Sequence, residues 1–131
     1  MLSRRSLVAI VLLANAFAAP AAFANDVIVP FTTAAFAAAQ KAGKPILVEI
    51  HADWCPTCKA QGPIISELRK QPRFKDLMVM RVDFDGQKDA VKQFGARTQS
   101  TLITFKGSAE MGRSVGDTNK ASIEALLGKA V

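Results

Sequence analysis

The stretch Lys44-Pro45-Ile46-Leu47-Val48-Glu49-Ile50-His51-Ala52-Asp53-Trp54-Cys55-Pro56-Thr57-Cys58-Lys59 decides how this chain is read. Pro45 to Ile50 is an apolar, branched run and reads as a buried strand. A helix is predicted from about Cys55 to Lys70. The only two cysteines of the chain, Cys55 and Cys58, therefore sit where a buried strand hands over to a helix. A helix N-terminus presents unpaired N–H groups and the positive end of the helix dipole. A thiolate there is stabilised, so Cys55 is expected to have a lowered pKa and to act as nucleophile. Cys58, one turn inward, is expected to be less exposed. It would attack the mixed disulfide formed on Cys55 and release the reduced partner. Pro56 suits the first turn, where its missing N–H costs little.

Two other readings of the pair stay open on spacing alone. One is a static disulfide, although so tight a loop staples little chain. The other is metal. A mononuclear zinc site needs about four ligands, and the chain offers two cysteines and one histidine. Such a site would have to be shared across a dimer.

Working outward, Val27-Ile28-Val29 is a short strand ended by Pro30. Thr32 or Thr33 caps a helix from Ala34 to Ala42, with Gly43 as its stop. Leu77 to Phe84 is the next strand, and Asp89 to Phe94 a short helix ended by Gly95. Thr101 to Phe105 is a strand, Lys106-Gly107-Ser108 turns the chain, and Glu110 to Val115 returns as a hairpin partner. Thr118 is expected to cap a last helix running through Ile123, Leu126 and Leu127. The order β-α-β-α-β-α-β-β-α argues for parallel crossovers with a late antiparallel hairpin. It predicts an α/β, three-layer α/β/α sandwich around a central mixed β-sheet.

The N-terminus is of a different kind. A basic head, Met1-Leu2-Ser3-Arg4-Arg5-Ser6, precedes the apolar run from Leu7 to Ala19, and Ala22-Phe23-Ala24 follows Pro20. This pattern predicts a signal peptide over 1–24, cut before Asn25, with a single domain over 25–131. The apolar run is short for a membrane span, which takes roughly 20 residues. An uncleaved anchor is the alternative, and the paired arginines faintly resemble a twin-arginine export signal. Removing 24 of 131 residues leaves 107, enough for one modest core. Seventeen basic residues become 15 against 11 acids, a net charge of +4. Those cations are scattered among acids with no aromatic ladder, so nucleic acid is not an expected partner. A protein leaving the cytoplasm, here for a periplasmic or similar compartment, meets conditions that permit disulfide chemistry.

Ala52-Asp53-Trp54-Cys55-Pro56-Thr57-Cys58-Lys59 closely resembles the active-site segment of the thioredoxin superfamily. The resemblance runs from about Phe36 to Leu127. Lys44 to Glu49 looks like the strand leading into that site. Pro63 matches the proline that kinks the active-site helix, and Gly116 a glycine beside the substrate groove. The resemblance implies the thioredoxin fold and thiol–disulfide oxidoreductase activity without an organic cofactor, because the dithiol carries the electrons. Exported bacterial reductases of this kind are the nearest in character. Oxidising members often carry His between the cysteines. Thr57 has no such charge, which leans the pair toward reduction.

The resemblance also assigns roles. Glu49 falls where many thioredoxins keep a buried acid. A carboxyl there would have a raised pKa through desolvation and could shuttle the proton of Cys58. Arg81 aligns with a basic neighbour of that acid. Alternation puts His51, the only histidine, on the Glu49 face, either tuning the site or packed at a strand end. Trp54, Gln99, Ser100, Thr101 and Gly116 are expected to line the substrate groove. Most thioredoxins carry a cis-proline where this chain has Ser100. A cis bond before serine costs about 2.5–4 kcal/mol, so Gln99–Ser100 is expected to be trans. Ser100 could donate a hydrogen bond to a cysteine sulfur or to substrate, or leave room for a metal or iron–sulfur cluster. The expected partners are disulfide-bearing proteins and a redox partner, such as a membrane electron donor. A monomer is expected for the enzyme. The alternative, a metal or iron–sulfur carrier using the same cysteines, would be a dimer.

Overall fold

A computed structural model of the protein describes residues 27–131. The expected leader, its cleavage point and the start of the domain at Asn25 lie outside the described residues. Five strands form one sheet: β1 (Ile28–Pro30), β2 (Pro45–His51), β3 (Met78–Asp83), β4 (Thr101–Lys106) and β5 (Ala109–Val115). Four helices accompany them among the described residues: α1 (Thr33–Lys41), α2 (Pro56–Leu68), α3 (Lys88–Gln93) and α4 (Lys120–Gly128). The sheet order is β1-β3-β2-β4-β5. β1 and β2 run parallel to β3, whereas β4 is antiparallel to both β2 and β5. The mixed sheet expected from the element order is therefore present, with β2 at its centre.

The two faces of β2 explain the layers. Ile46, Val48 and Ile50 point to one side and pack with Phe36, Ala39, Ala90, Val91 and Phe94 of the α1 and α3 segments. Phe31, Phe36, Phe94 and Phe105 meet there at centroid distances of 5.2–6.0 Å. The tilted and edge-on geometries are those that ring quadrupoles favour. Leu47 points to the other side, with Ile65 and Leu68 of α2 and Ile123, Leu126 and Leu127 of α4. β2 can be apolar on both faces because both faces are covered.

Several boundaries differ from the sequence reading. Thr32 does cap α1, its hydroxyl accepting from Ala35 N at 3.0 Å. The last helix is capped by Asn119 and not Thr118: the Asn119 amide oxygen accepts from Ser122 N at 3.0 Å. Asp117 fixes this cap by accepting from Asn119 N at 2.9 Å and from the Ser122 hydroxyl. The active-site helix ends at Leu68, two residues before the predicted end, and a 3-10 turn at Pro72–Phe74 follows. That turn buries Phe74 in the α2–α4 core, a tertiary gain that local periodicity does not announce.

Candidate active site

Cys55 is the N-cap of α2 and Pro56 its first residue. Pro56 gives up an N–H that a helix start leaves unpaired anyway. The Cys55 Sγ accepts from Cys58 N at 3.1 Å. This sulfur takes the place that a serine or aspartate oxygen usually fills at a cap, and the helix dipole points its positive end at it. Pro63 lies inside α2. It removes the N–H that would reach the carbonyl of Lys59, yet the helix continues to Leu68.

Both cysteines are free thiols and both are buried, Cys55 at 1% exposure and Cys58 at 5%. The expectation of a more exposed Cys55 is thus corrected. Its sulfur is turned toward the helix N-terminus and packs with Ala52, Cys58 and Phe84. The Cys58 thiol is pushed above its ordinary pKa, first by burial and next by its hydrogen bond with Cys55, with the backbone at Ala52 and Ser100 pulling the other way. Cys58 therefore keeps its proton more firmly than a free thiol.

Trp54 is 57% exposed beside the pair. Its indole N–H donates to Asp85 Oδ2 at 2.6 Å, which fixes the ring and leaves its apolar face open. Thr57 is half-buried and Pro56 exposed. Phe84 N donates to His51 O at 2.9 Å and so ties the segment after β3 to the end of β2. Phe84 and Asp85 were not singled out from the sequence. No motif marks them, and only the β2–β3 pairing brings them here.

Glu49 is the one buried carboxyl among the described residues, at 6% exposure. Alternation places it on the Leu47 face, toward α2. Parallel register sets it opposite Arg81. Arg81 Nε donates to Glu49 Oε2 at 3.0 Å, and Nη2 lies 3.0 Å from the same oxygen. Of the two readings of Arg81, the ion pair is the observed one. His51 lies at the end of β2 with Nε2 3.1 Å from Asp53 Oδ1. It is a partly covered strand-end residue paired with an exposed acid.

Gln99–Ser100 is trans, as expected, but Ser100 has φ +60°, the only positive φ among described non-glycine residues. That conformation costs an L-residue about 1–2 kcal/mol. The surroundings hold it. Ser100 N donates to Ile50 O at 2.7 Å, and Gly116 N donates to Ser100 O at 3.0 Å. The Ser100 hydroxyl donates to Gln99 O at 2.6 Å, so it serves its own loop rather than a cysteine sulfur. Thr98 donates to the same carbonyl at 2.8 Å. Thr101 is buried, with its hydroxyl on Thr98 O at 2.9 Å. Gln99 is half-buried, and Gly116 takes φ +69° where its chain leaves β5. The structure thus gathers Gln99, Ser100, Thr101 and Gly116 into one loop cluster.

Gln61 completes that cluster and was not anticipated. It is 4% exposed and its amide donates to Ser100 O at 3.2 Å and to Asp117 O at 2.9 Å. A signal existed. Cys58, Gln61, Ile65 and Leu68 are the buried residues of α2, and their three-four-three spacing marks the inner face of a helix.

Among the described residues, no group of three or more His, Cys, Asp or Glu side chains lies together to hold a metal ion. Two cysteines supply two of the roughly four ligands zinc takes, so one chain does not complete a zinc site by itself.

The comparisons with known proteins agree with this geometry. The Thioredoxin family model matches residues 27–129. Thioredoxin of Mycobacterium tuberculosis is 33% identical over 111 residues, covering 85% of this chain and 84% of that protein. Thioredoxin of Alicyclobacillus acidocaldarius is 32% identical, covering 73% and 90%. The crystal structure of Trxlp from Edwardsiella tarda shares 42% identity at a TM-score of 0.74, covering 77% of this chain and 98% of that one. The chain belongs to the thioredoxin family and is a thiol–disulfide oxidoreductase of the thioredoxin fold.

Proposed function

We propose that this protein is an exported reductase of protein disulfides that cycles Cys55 and Cys58 between dithiol and disulfide. One observation carries the division of labour. The Cys55 sulfur is the helix cap and accepts an N–H, while burial and that same sulfur hold the proton on Cys58. Negative charge is met at Cys55 and resisted at Cys58. The Cys55 thiolate attacks one sulfur of the substrate disulfide; a protein–substrate disulfide forms and the first substrate thiolate leaves. Cys58 then loses its proton and attacks the Cys55 sulfur. The Cys55–Cys58 disulfide forms, the second substrate thiolate leaves, and two electrons have passed to the substrate.

Glu49 is the proposed acceptor of the Cys58 proton, being the buried carboxyl on the α2 face of the sheet. Its Oε2 is engaged by Arg81, so Oε1 is the oxygen assigned to this transfer. Since Cys55 is 1% exposed, a docking substrate must displace part of its cover. Trp54 offers the open apolar surface on which such a substrate rests. Gln99, Ser100, Thr101 and Gly116 form the loops beside it.

The leader pattern over 1–24 supports export, by cleavage before Asn25, to a periplasmic or comparable compartment. There the oxidised pair needs a dithiol donor, and a membrane-bound one fits that setting. A monomer suffices, because one chain holds both sulfurs. Equilibration of the Cys55–Cys58 pair in graded thiol buffers tests the reducing direction. A potential near the value of about −270 mV typical of thioredoxin is expected, and one near about −120 mV would overturn the direction. N-terminal sequencing of the exported protein should begin at Asn25.

A further inference from the structure

We propose that Gln61 is a positioning residue that clamps the Ser100 loop to the active-site helix and thereby sets Cys58 for its attack on the mixed disulfide. This rests on the Cys55–Cys58 cycle proposed above. Gln61 follows Cys58 by three residues on the buried face of α2. An apolar side chain is the expected occupant of such a site. A buried amide is costly unless it is bonded, and Gln61 uses its Nε2 on two carbonyls from two different loops. One is Ser100 O, before β4. The other is Asp117 O, which follows β5 and leads into the α4 cap.

Ser100 needs such a partner. It holds φ +60° without the ring that would fix a proline or the freedom of a glycine. Its N–H donates to Ile50 O, and its carbonyl accepts from Gly116 N and Gln61. The end of β2, the helix carrying the cysteines and the segment after β5 therefore converge on one residue. Gln61 is the α2 side chain that donates to the Ser100 carbonyl. Cys58 and Gln61 lie one turn apart on the same buried face of α2, so the loop that Gln61 holds is anchored beside Cys58. Cys55 is held differently, by the helix cap, which Gln61 does not touch. Losing the clamp should thus slow the step made by Cys58 and spare the step made by Cys55.

The test uses the full chain, reduced, and an aromatic disulfide such as 5,5′-dithiobis(2-nitrobenzoate) in stopped flow. The wild type releases two thiolates in sequence, the first on attack by Cys55 and the second on closure by Cys58. Gln61→Met keeps length and removes the donor. Its first phase should match the wild type within about twofold, and its second should slow by about tenfold, the scale of one or two lost hydrogen bonds. Gln61→Asn keeps the amide one methylene short and should recover part of the rate. It also stands in as the probe if the Met variant does not fold. A folded Gln61→Met with both phases at wild-type rate overturns the clamp; if that variant does not fold, a Gln61→Asn with both phases at wild-type rate overturns it. Equal slowing of both phases also overturns it and leaves a purely structural role. If the wild type gives no second phase and Cys58→Ser traps no adduct, the underlying cycle fails instead.

Discussion

Arg81→Met is the perturbation whose size can be worked most fully from the structure. The guanidinium makes a hydrogen bond of 3.0 Å from Nε to one oxygen of Glu49, with Nη2 also 3.0 Å from that oxygen. The Glu49 side chain is 7% exposed and that of Arg81 is 32% exposed. Methionine removes the charge and both donors but keeps most of the apolar stem. Deleting one partner of a fully buried pair costs about 3–5 kcal/mol, because the other charge is stranded. Arg81 is not fully buried, so water reaches its end of the pair and screens it. The expected cost is therefore lower, about 2–3 kcal/mol, the scale of a charge-assisted hydrogen bond lost in a half-dry site. In a domain of this size that lowers Tm by about 10–15 °C. Urea unfolding of the reduced full chain, followed by circular dichroism, measures it. Glu49→Leu combined with Arg81→Met should cost less than the sum of the two single changes, since the double variant strands no charge. An Arg81→Met variant within about 0.5 kcal/mol of wild type, the range of an ordinary surface substitution, would refute the reasoning. So would a double variant whose cost is simply additive.

Three further outcomes follow from the same geometry. The folded state raises the Cys58 pKa, so its contribution to stability is complete below the unfolded thiol value of about 8.5 and is lost as pH rises through the folded value; urea titrations of the reduced protein should show this fall, and Cys58→Ala should flatten it. Trp54 is mostly exposed and its indole N–H donates to an exposed acid, so Trp54→Ala should change stability by no more than about 0.5–1 kcal/mol while raising KM for a protein disulfide in a reduction assay. Gly116 sits at φ +69° with open space where a Cβ would stand, so Gly116→Ala should cost about 1–2 kcal/mol through backbone strain alone, read as a shift in urea midpoint at constant slope.

Much of this is legible in the sequence. β2 declared itself by an unbroken apolar run, and its neighbours by turn residues between periodic segments. The pair Cys55–Cys58 was placed by a rule that is purely local: strand, short turn, helix start. The Glu49 and Arg81 pairing needed one thing more, the parallel register of β2 and β3, which no local pattern encodes. Ser100 shows where residue-by-residue reading stops. Its departure from proline was visible, and so was the trans bond. Its positive φ was not, because serine has no preference for that region and is held there by Ile50, Gly116 and Gln61. Gln61 itself sat in plain view at helical spacing from Cys58, but a glutamine on a helix reads as a solvated face until the opposite loops are known. The burial of Cys55 escaped for a similar reason. A helix N-terminus is usually open, and here Phe84 from beyond β3 packs against it. The Asn119 cap was a choice between adjacent good cappers, decided by Asp117 fixing the asparagine.

The central claim is that Cys55 attacks and Cys58 resolves. The most direct test is to incubate Cys58→Ser and Cys55→Ser, each as reduced full chain, with a disulfide-bearing protein, and to map any covalent adduct by mass spectrometry. The account predicts a stable adduct through Cys55 in Cys58→Ser and none in Cys55→Ser under the same conditions. An adduct that forms through Cys58 in Cys55→Ser, with none through Cys55 in Cys58→Ser, would contradict it.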